Sequence, residues 1–370
     1  MKALGIILAG GNSAPMGELT KTRAVSAIPV GGCFRALDFA LSNLSNSGVG
    51  KVAVLTQYNA RSLQDHLSSA KWWNFGRKYG GLFVFSPYLS DNNSFWFRGT
   101  ADSIYQNITY LRRSQEEYVI ITSGDAVYKA DFNDLVKSHA NSGADVTIVY
   151  KEADPGIDPR EYGVLTIDEH GTVLDLEEKP LDPQSSLISL GIYVIKRTLL
   201  MELLESTISE GHFDLVKDIF IRYRKKLKIH GYQFHGYWKA IKSAKSYFDI
   251  NMDFLRSDIR RLFTQEPPYI ETKPKDEPPV KYNANADVAD CLVGAGSIVS
   301  GHISHSVLFR RVFVGDDASV RNSVIMEGSR IGNNCVVENV ILDKFVVISD
   351  GTKLQGDPNN PIIITKGTVM

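Results

Sequence analysis

Cysteine is scarce in this chain. Its 370 residues include three, Cys33, Cys291 and Cys335, odd in number and far apart, which excludes a disulfide framework and provides no metal-ligand spacing. That usage fits a reducing compartment, so a cytoplasmic location is expected. Long hydrophobic runs are missing as well. No stretch approaches the ~20 apolar residues that a membrane-spanning helix needs. The first apolar stretch, Met1 to Ile7, stops at Gly10-Gly11 without a small-residue cleavage pattern, so no secretory leader is expected. The third absence is an excess of charge: 41 Lys plus Arg oppose 42 Asp plus Glu. No global field then draws the chain to nucleic acid or to an anionic membrane, and any partner has to be selected locally.

What the chain does have is apolar material, 43% of its residues, over a length beyond the usual single core. At least two domains are expected. From Lys2 to about Phe263, the runs "ALGIILAGG", "KVAVLTQY", "YVIITSGD" and "DVTIVYK" read as buried strands, being continuous and rich in branched residues. Between them, "LDFALSNLSNSGV", "SLQDHLSSAKWW", "TADSIYQNITYLRRS" and "FNDLVKSHANSGA" carry apolar residues at helical spacing. Such alternation predicts an α/β domain over residues 1–263, a mostly parallel sheet covered on both faces. Ligands then bind at the carboxyl ends of the strands, which puts Gly10-Gly11 and Gly124-Asp125 at the mouth of the sheet.

After that, "QEPPYIETKPKDEPPV" holds five prolines and many charges and can continue neither a helix nor a central strand. Residues 264–280 are therefore read as a Pro-rich linker. Over 281–370 a repeat emerges: Val293-Gly-Ala-Gly-Ser, Val314-Gly-Asp-Asp-Ala, Ile331-Gly-Asn-Asn-Cys and Ile348-Ser-Asp-Gly-Thr, the last three starting 17 residues apart. Six-residue steps within them predict a hexapeptide-type parallel β-helix, apolar residues stacked inside and small residues at the corners. A β-sandwich with similar turn spacing is the alternative, but the small-residue corners recur in register.

The order of a Gly-Gly loop, a Gly-Asp strand end, a Glu-Lys-Pro segment and a C-terminal hexapeptide domain resembles the nucleotide-sugar pyrophosphorylases. Among these, the chain is most similar to the glucose-1-phosphate adenylyltransferase family. "RALDFALSNLSNSGV", "FRGTADSIYQN", "SGDAVYKADF", "EEKP", "SLGIYV" and "YWKAIKSAKSYFDINMDFL" follow that family's landmarks in order. The resemblance implies a Rossmann-like nucleotidyltransferase domain followed by a left-handed parallel β-helix. It also implies a nucleotide-binding remnant at Leu8, Ala9, Gly10, Gly11, Gly99, Thr100, Ala101, Gly124 and Asp125. Sugar-phosphate contacts are implied at Gly163, Glu178, Lys179 and Ser189.

Three departures from the family pattern bear on its chemistry. Where active members carry Gly-x-Arg in the first loop, this chain has Ser13 and Pro15. The arginine holds the triphosphate and its charge stabilises the departing pyrophosphate, whereas a proline supplies no charge and removes a backbone donor. The family's Arg-Ala-Lys-Pro reads Arg23-Ala24-Val25-Ser26 here, so a second cation is gone. The Trp-Arg-Asp-Val-Gly-Thr motif reads Trp238-Lys239-Ala240-Ile241-Lys242-Ser243. Ala240 cannot ligate a metal, which leaves Asp125 alone as a weak site for the Mg²⁺ that such transfer needs.

With Pro15, Val25 and Ala240 degenerate, no catalytic residue and no cofactor of its own are expected, the Mg²⁺ belonging to the catalytic partner. The pattern resembles the non-catalytic D-type subunit of the bacterial enzyme. That resemblance implies a role in glycogen biosynthesis, a hetero- or homotetramer with a catalytic subunit, and residual binding of glucose 1-phosphate or weak binding of nucleotide. Trp72-Trp73 and the "FWF" at Phe95 to Phe97 are candidate interface aromatics. Three other classes compete with this reading. One is a divergent active nucleotidyltransferase in which Lys21, Arg23 or Lys242 takes over the lost charges. Another is a hexapeptide acyltransferase using His302 and His305. The last is an exchange-factor-like subunit, a class that usually brings a further helical domain. Lys242 also suggests an anion or sugar-phosphate sensor rather than a catalyst, its ammonium pairing with Asp125 or a bound phosphate.

Overall fold

The computed structural model describes residues 3–11, 14–76, 80–88 and 96–370, so Ser13 and Phe95 lie outside the described residues. Strand β1 (Ala3–Leu8) runs through the middle of the first sheet. Ala3 and Ile7 enter one apolar cluster, while Leu4 and Ile6 enter another on the opposite face. This is the period-two alternation of a strand buried on both sides. Helix α1 (Ala36–Asn46) covers the Ile7 face with Leu37, Ala40, Leu41 and Leu44. Strands β2 (Lys51–Leu55) and β3 (Gly81–Phe85) extend the sheet in parallel on one side, and β4 (Tyr118–Ser123) on the other. The connections carry α2 (Arg61–Leu67), α3 (Thr100–Tyr105), α4 (Ile108–Arg112) and, after β5 (Ala126–Tyr128), α5 (Phe132–Ser142).

Past β4 the sheet is mixed rather than mostly parallel. Strand β6 (Val146–Glu152) is followed by a hairpin, β7 (Gly163–Ile167) and β8 (Val173–Glu178), instead of a crossover helix. The chain therefore returns in the opposite sense, and β9 (Leu187–Lys196) lies antiparallel to β4, β6 and β7. After α6 (Arg197–Ser209), β10 (Ile229–Gln233) pairs in parallel with β6. Strand β11 (Trp238–Ala240) pairs antiparallel with β5 in a separate ribbon, and α7 (Ala244–Asp253) and α8 (Ser257–Thr264) follow. Among the described residues, no helix is long and apolar enough to cross a membrane.

Residues 265–280 have neither helix nor strand, yet they form a strap packed on the first domain. The Ser42 hydroxyl accepts from the Glu271 amide at 2.8 Å and donates to the Glu271 carbonyl at 3.2 Å. The buried Trp73 indole donates to the same carbonyl at 3.0 Å.

The second domain winds into three parallel faces. Val314 pairs with Ile331 and Ile331 with Ile348, the 17-residue step read from the sequence, and all three are buried in its interior cluster. Its corners use left-handed backbone at Asp317, Asn334 and Gly351, and again at Asp290, His305, Asn322 and Asn339. Asn and Asp tolerate this conformation because their side chains bond locally. Asn322 Nδ2 donates to Asn339 Oδ1 at 2.6 Å, and Asn339 Nδ2 to the Gly356 carbonyl at 2.8 Å, so the corner continues from rung to rung as a ladder.

The β-helix does not stand apart from the first domain. Val307, Phe309, Val324, Met326 and Ile341 share one buried cluster with Met16, Leu19, Val25, Phe39, Tyr247 and Phe254. Within that contact Arg23 is ion-paired to Asp343 at 2.6 Å.

Candidate functional site

Strand β9 changes partners along its length: Ile192 pairs with Thr122 of β4, whereas Ile188 pairs with Val164 of β7. Between the two lies a register shift, with Gly191 in left-handed backbone. Such a bulge re-aims side chains and ends pairing. The gap it leaves opens at the carboxyl ends of β1 and β4, where two adjoining cavities share Leu8 and Thr100.

The first cavity, ≈ 290 Å³, is lined by Leu8, Gly10, Gly11, Gly99 and Thr100 together with Tyr58, Phe97 and Arg98. Five of the nine predicted nucleotide-binding positions thus meet here. Ala9 and Ala101 act through the backbone, their amides bonding the Leu55 and Phe213 carbonyls at 2.8 Å each, while their side chains are buried. Gly99 is required by close approach, since a Cβ there would lie 2.4 Å from the Phe213 carbonyl oxygen. Gly124 answers to packing, because a Cβ would meet Leu37 Cδ1 at 2.7 Å. Arg98 is held by Asp102 at 2.9 Å and lies 3.8 Å from the Phe213 ring centre.

The second cavity, ≈ 200 Å³, is lined by Asp125 and by all four predicted sugar-phosphate positions, Gly163, Glu178, Lys179 and Ser189. Gly163 faces Glu178 across the β7–β8 hairpin, and a Cβ at Gly163 would sit 3.1 Å from Glu178 Oε2. Burial pushes the Glu178 carboxyl above its ordinary range, with the charge of Lys179 pulling partly back. Lys179 itself sits at a tight strand end in left-handed backbone, its amide bonding the Tyr162 carbonyl at 3.0 Å. Ser189 Oγ accepts from the Gly191 amide across the bulge at 3.3 Å.

Sequence reasoning passed over Tyr162, Asp214 and Trp238 as cavity walls. Tyr162 and Trp238 stand within segments already singled out, and their rings meet edge to face at 5.7 Å. Asp214 carries no local signal: the fold brings it to Thr100, whose hydroxyl lies 3.4 Å from Asp214 Oδ2.

Ala240 pairs with Ala126, and the Ile241 amide donates to the Asp125 carbonyl at 2.8 Å, so position 240 stands beside Asp125. A methyl group stands where the family resemblance implies a second carboxylate. Asp125 Oδ1 accepts from the Ser123 hydroxyl, and Lys242 Nζ lies 4.0 Å from Oδ2. Among the described residues, no group of three or more His, Cys, Asp or Glu is placed to hold a metal. This donor set, one carboxylate beside an ammonium, does not fit Mg²⁺.

The remaining candidates lie elsewhere. Pro15 is exposed, in a 3₁₀ segment over Ala14–Thr20 anchored by the buried Met16 and Leu19. Val25 is buried in the interdomain cluster and lines neither cavity. Lys21 is paired with Glu18 on the surface, and Arg23 with Asp343 inside the domain contact. Of the three lysines and arginines weighed as substitutes for the lost charges, Lys242 alone lines a cavity of this pair. Trp73 is a core residue rather than an interface aromatic, whereas Trp96 is exposed and stacks on Tyr58 at 6.1 Å. His302 and His305 are exposed on the β-helix beside Asp287 and Asp290.

Residues 4–257 match the family model described as nucleotidyl transferase, and residues 278–361 match that described as GlmU-like, C-terminal hexapeptide. The glucose-1-phosphate adenylyltransferases of Bacillus mycoides (strain KBAB4) and Bacillus anthracis are each 36% identical to this chain over 371 residues, covering 99% of it and 98% of the relative.

Proposed function

Because the chain belongs to the glucose-1-phosphate adenylyltransferase family, we propose that it serves that reaction as a non-catalytic, activating subunit. In this reading it assembles with a catalytic chain that joins ATP and glucose 1-phosphate into ADP-glucose and pyrophosphate for glycogen biosynthesis. The observation that carries the reading is Ala240 beside Asp125. Transfer at a phosphoryl group rests on positioning and charge compensation more than on covalent work, and two of the three cations that could stand in for the lost charges are diverted while one lost position is apolar. Arg23 ties the β-helix to the first domain, Lys21 pairs with Glu18, and Val25 is part of a core. A fold this complete around a site left with a single candidate metal ligand is consistent with selection on assembly and on ligand binding. In this reading the second cavity retains the glucose 1-phosphate contacts Gly163, Glu178, Lys179 and Ser189, and the first cavity binds nucleotide weakly.

The test is pyrophosphate release from ATP, Mg²⁺ and glucose 1-phosphate by this chain, by a catalytic adenylyltransferase subunit from the same cell, and by the two mixed. The expected result is baseline release by this chain and more release from the mixture than from the catalytic subunit alone. Robust release by this chain alone overturns the reading in favour of a divergent active nucleotidyltransferase.

A further inference from the structure

The disagreement between this site and a divalent cation has a positive side. Lys242 reaches the cavity wall from the turn between β11 and α7, and its ammonium lies 4.0 Å from Asp125 Oδ2 and 5.6 Å from the centre of the Tyr162 ring. That spacing exceeds a hydrogen bond, so the two charges are electrostatic neighbours, with the aromatic face adding a second attraction for the ammonium. The cavity wall also carries Glu161, Glu178 and Asp214, against which Lys179 is the other cation. A phosphate entering beside Asp125 would meet carboxylates of its own sign unless a positive charge intervened. Lys242 supplies that charge from the chain itself.

We infer that Lys242 stands in for the divalent cation, so that the second cavity takes a sugar monophosphate without any metal. The inference rests on the reading of the chain as non-catalytic and adds the chemistry of its retained site. A tethered ammonium can neutralise Asp125 and attract a phosphate monoester, but it cannot polarise two substrates at once as a shared metal does. The site binds and does not transfer.

The experiment is calorimetric titration of glucose 1-phosphate, glucose and inorganic phosphate into the full chain, in EDTA and again in excess Mg²⁺. Glucose 1-phosphate is expected to bind with the same dissociation constant, within about twofold, in both solutions. Lys242→Met is expected to weaken it about tenfold or more in both, while Lys242→Arg stays within a few-fold of the natural chain because the charge is kept. Glucose binding is expected to be indifferent to either substitution, which separates loss of the charge from loss of the fold. The inference fails if Mg²⁺ tightens binding about tenfold, if Lys242→Met binds normally, or if glucose 1-phosphate does not bind at all. The first two outcomes leave the subunit reading whole so long as the chain alone releases no pyrophosphate, and the third removes from it only the retained glucose 1-phosphate contacts.

Discussion

Arg23 Nη2 lies 2.6 Å from Asp343 Oδ1, and Arg23 Nη1 lies 3.4 Å from the Met326 sulfur. The two charged side chains are 4% and 2% exposed, so each depends on the other for solvation. They come from opposite parts of the chain, one from the segment after the glycine loop and one from the β-helix. The pair therefore joins the two domains inside the apolar cluster that they share. Removing one partner leaves a buried charge without compensation, and Arg23→Met or Asp343→Asn is expected to cost about 3 kcal/mol or more of unfolding free energy. The double variant Arg23→Met with Asp343→Leu should recover much of that loss. Urea unfolding of the four proteins checks both statements, and a double variant no more stable than the singles would show that the charges matter for more than each other.

Val25 stands where active relatives are expected to carry a lysine, but its side chain is 5% exposed and packs with Met16, Leu19 and Ile28. Val25→Lys would put an ammonium into that cluster, at an expected cost of about 3 kcal/mol. Restoring the family residue should therefore lower the urea midpoint and leave pyrophosphate release at baseline. A variant of unchanged stability would mean that the lysine finds a route to solvent.

Gly99 is set by the Phe213 carbonyl, which accepts from both the Ala101 and Asp102 amides at 2.8 and 3.2 Å. Gly99→Ala drives a methyl group into that oxygen, and an expected loss of about 2 kcal/mol follows from strain and weakened hydrogen bonds. Faster amide exchange at residues 101 and 102, with exchange in the β-helix unchanged, is the local signature to look for.

His139 supplies a pH dependence. Its ring is 1% exposed on α5, Nδ1 bonds Thr147 Oγ1 at 2.8 Å, and Nε2 has no partner among the described residues. Burial, reinforced by the charge of Lys196, pushes its pKa down from 6.5 to about 4. Between those values the unfolded chain binds more protons than the folded one, so stability falls as pH falls through this window. The loss is on the order of 3 kcal/mol once pH reaches the lower value. Urea unfolding at a series of pH values should show that slope, and His139→Gln should flatten it. An equal slope in the variant would assign the effect to other groups.

Much of the site was legible as pattern. The glycine loop, the Gly-Asp strand end and the Gly163 to Ser189 segments each lie at a strand terminus, and strand termini on one edge of a sheet converge whatever the details of packing. The 17-residue repeat was legible for the same kind of reason, since each rung must place an apolar residue inside the coil and a turn-compatible residue at the corner. The direction of β9 was not, because a buried strand has the same composition in either sense and only the hairpin before it sets its direction.

The sequence alone determined the order of the parts and the stacking period of the β-helix, both being properties of residue type and spacing, and it placed an alanine at position 240, where the family resemblance implies a carboxylate. Tertiary structure decided what the remaining charges do. Arg23, Lys21 and Lys242 are equivalent cations along the chain, yet one is locked to Asp343 in the domain contact, one pairs with Glu18 at the surface, and one stands beside Asp125 in a cavity. Charge acts through distance and burial, and these quantities exist only once the chain has folded.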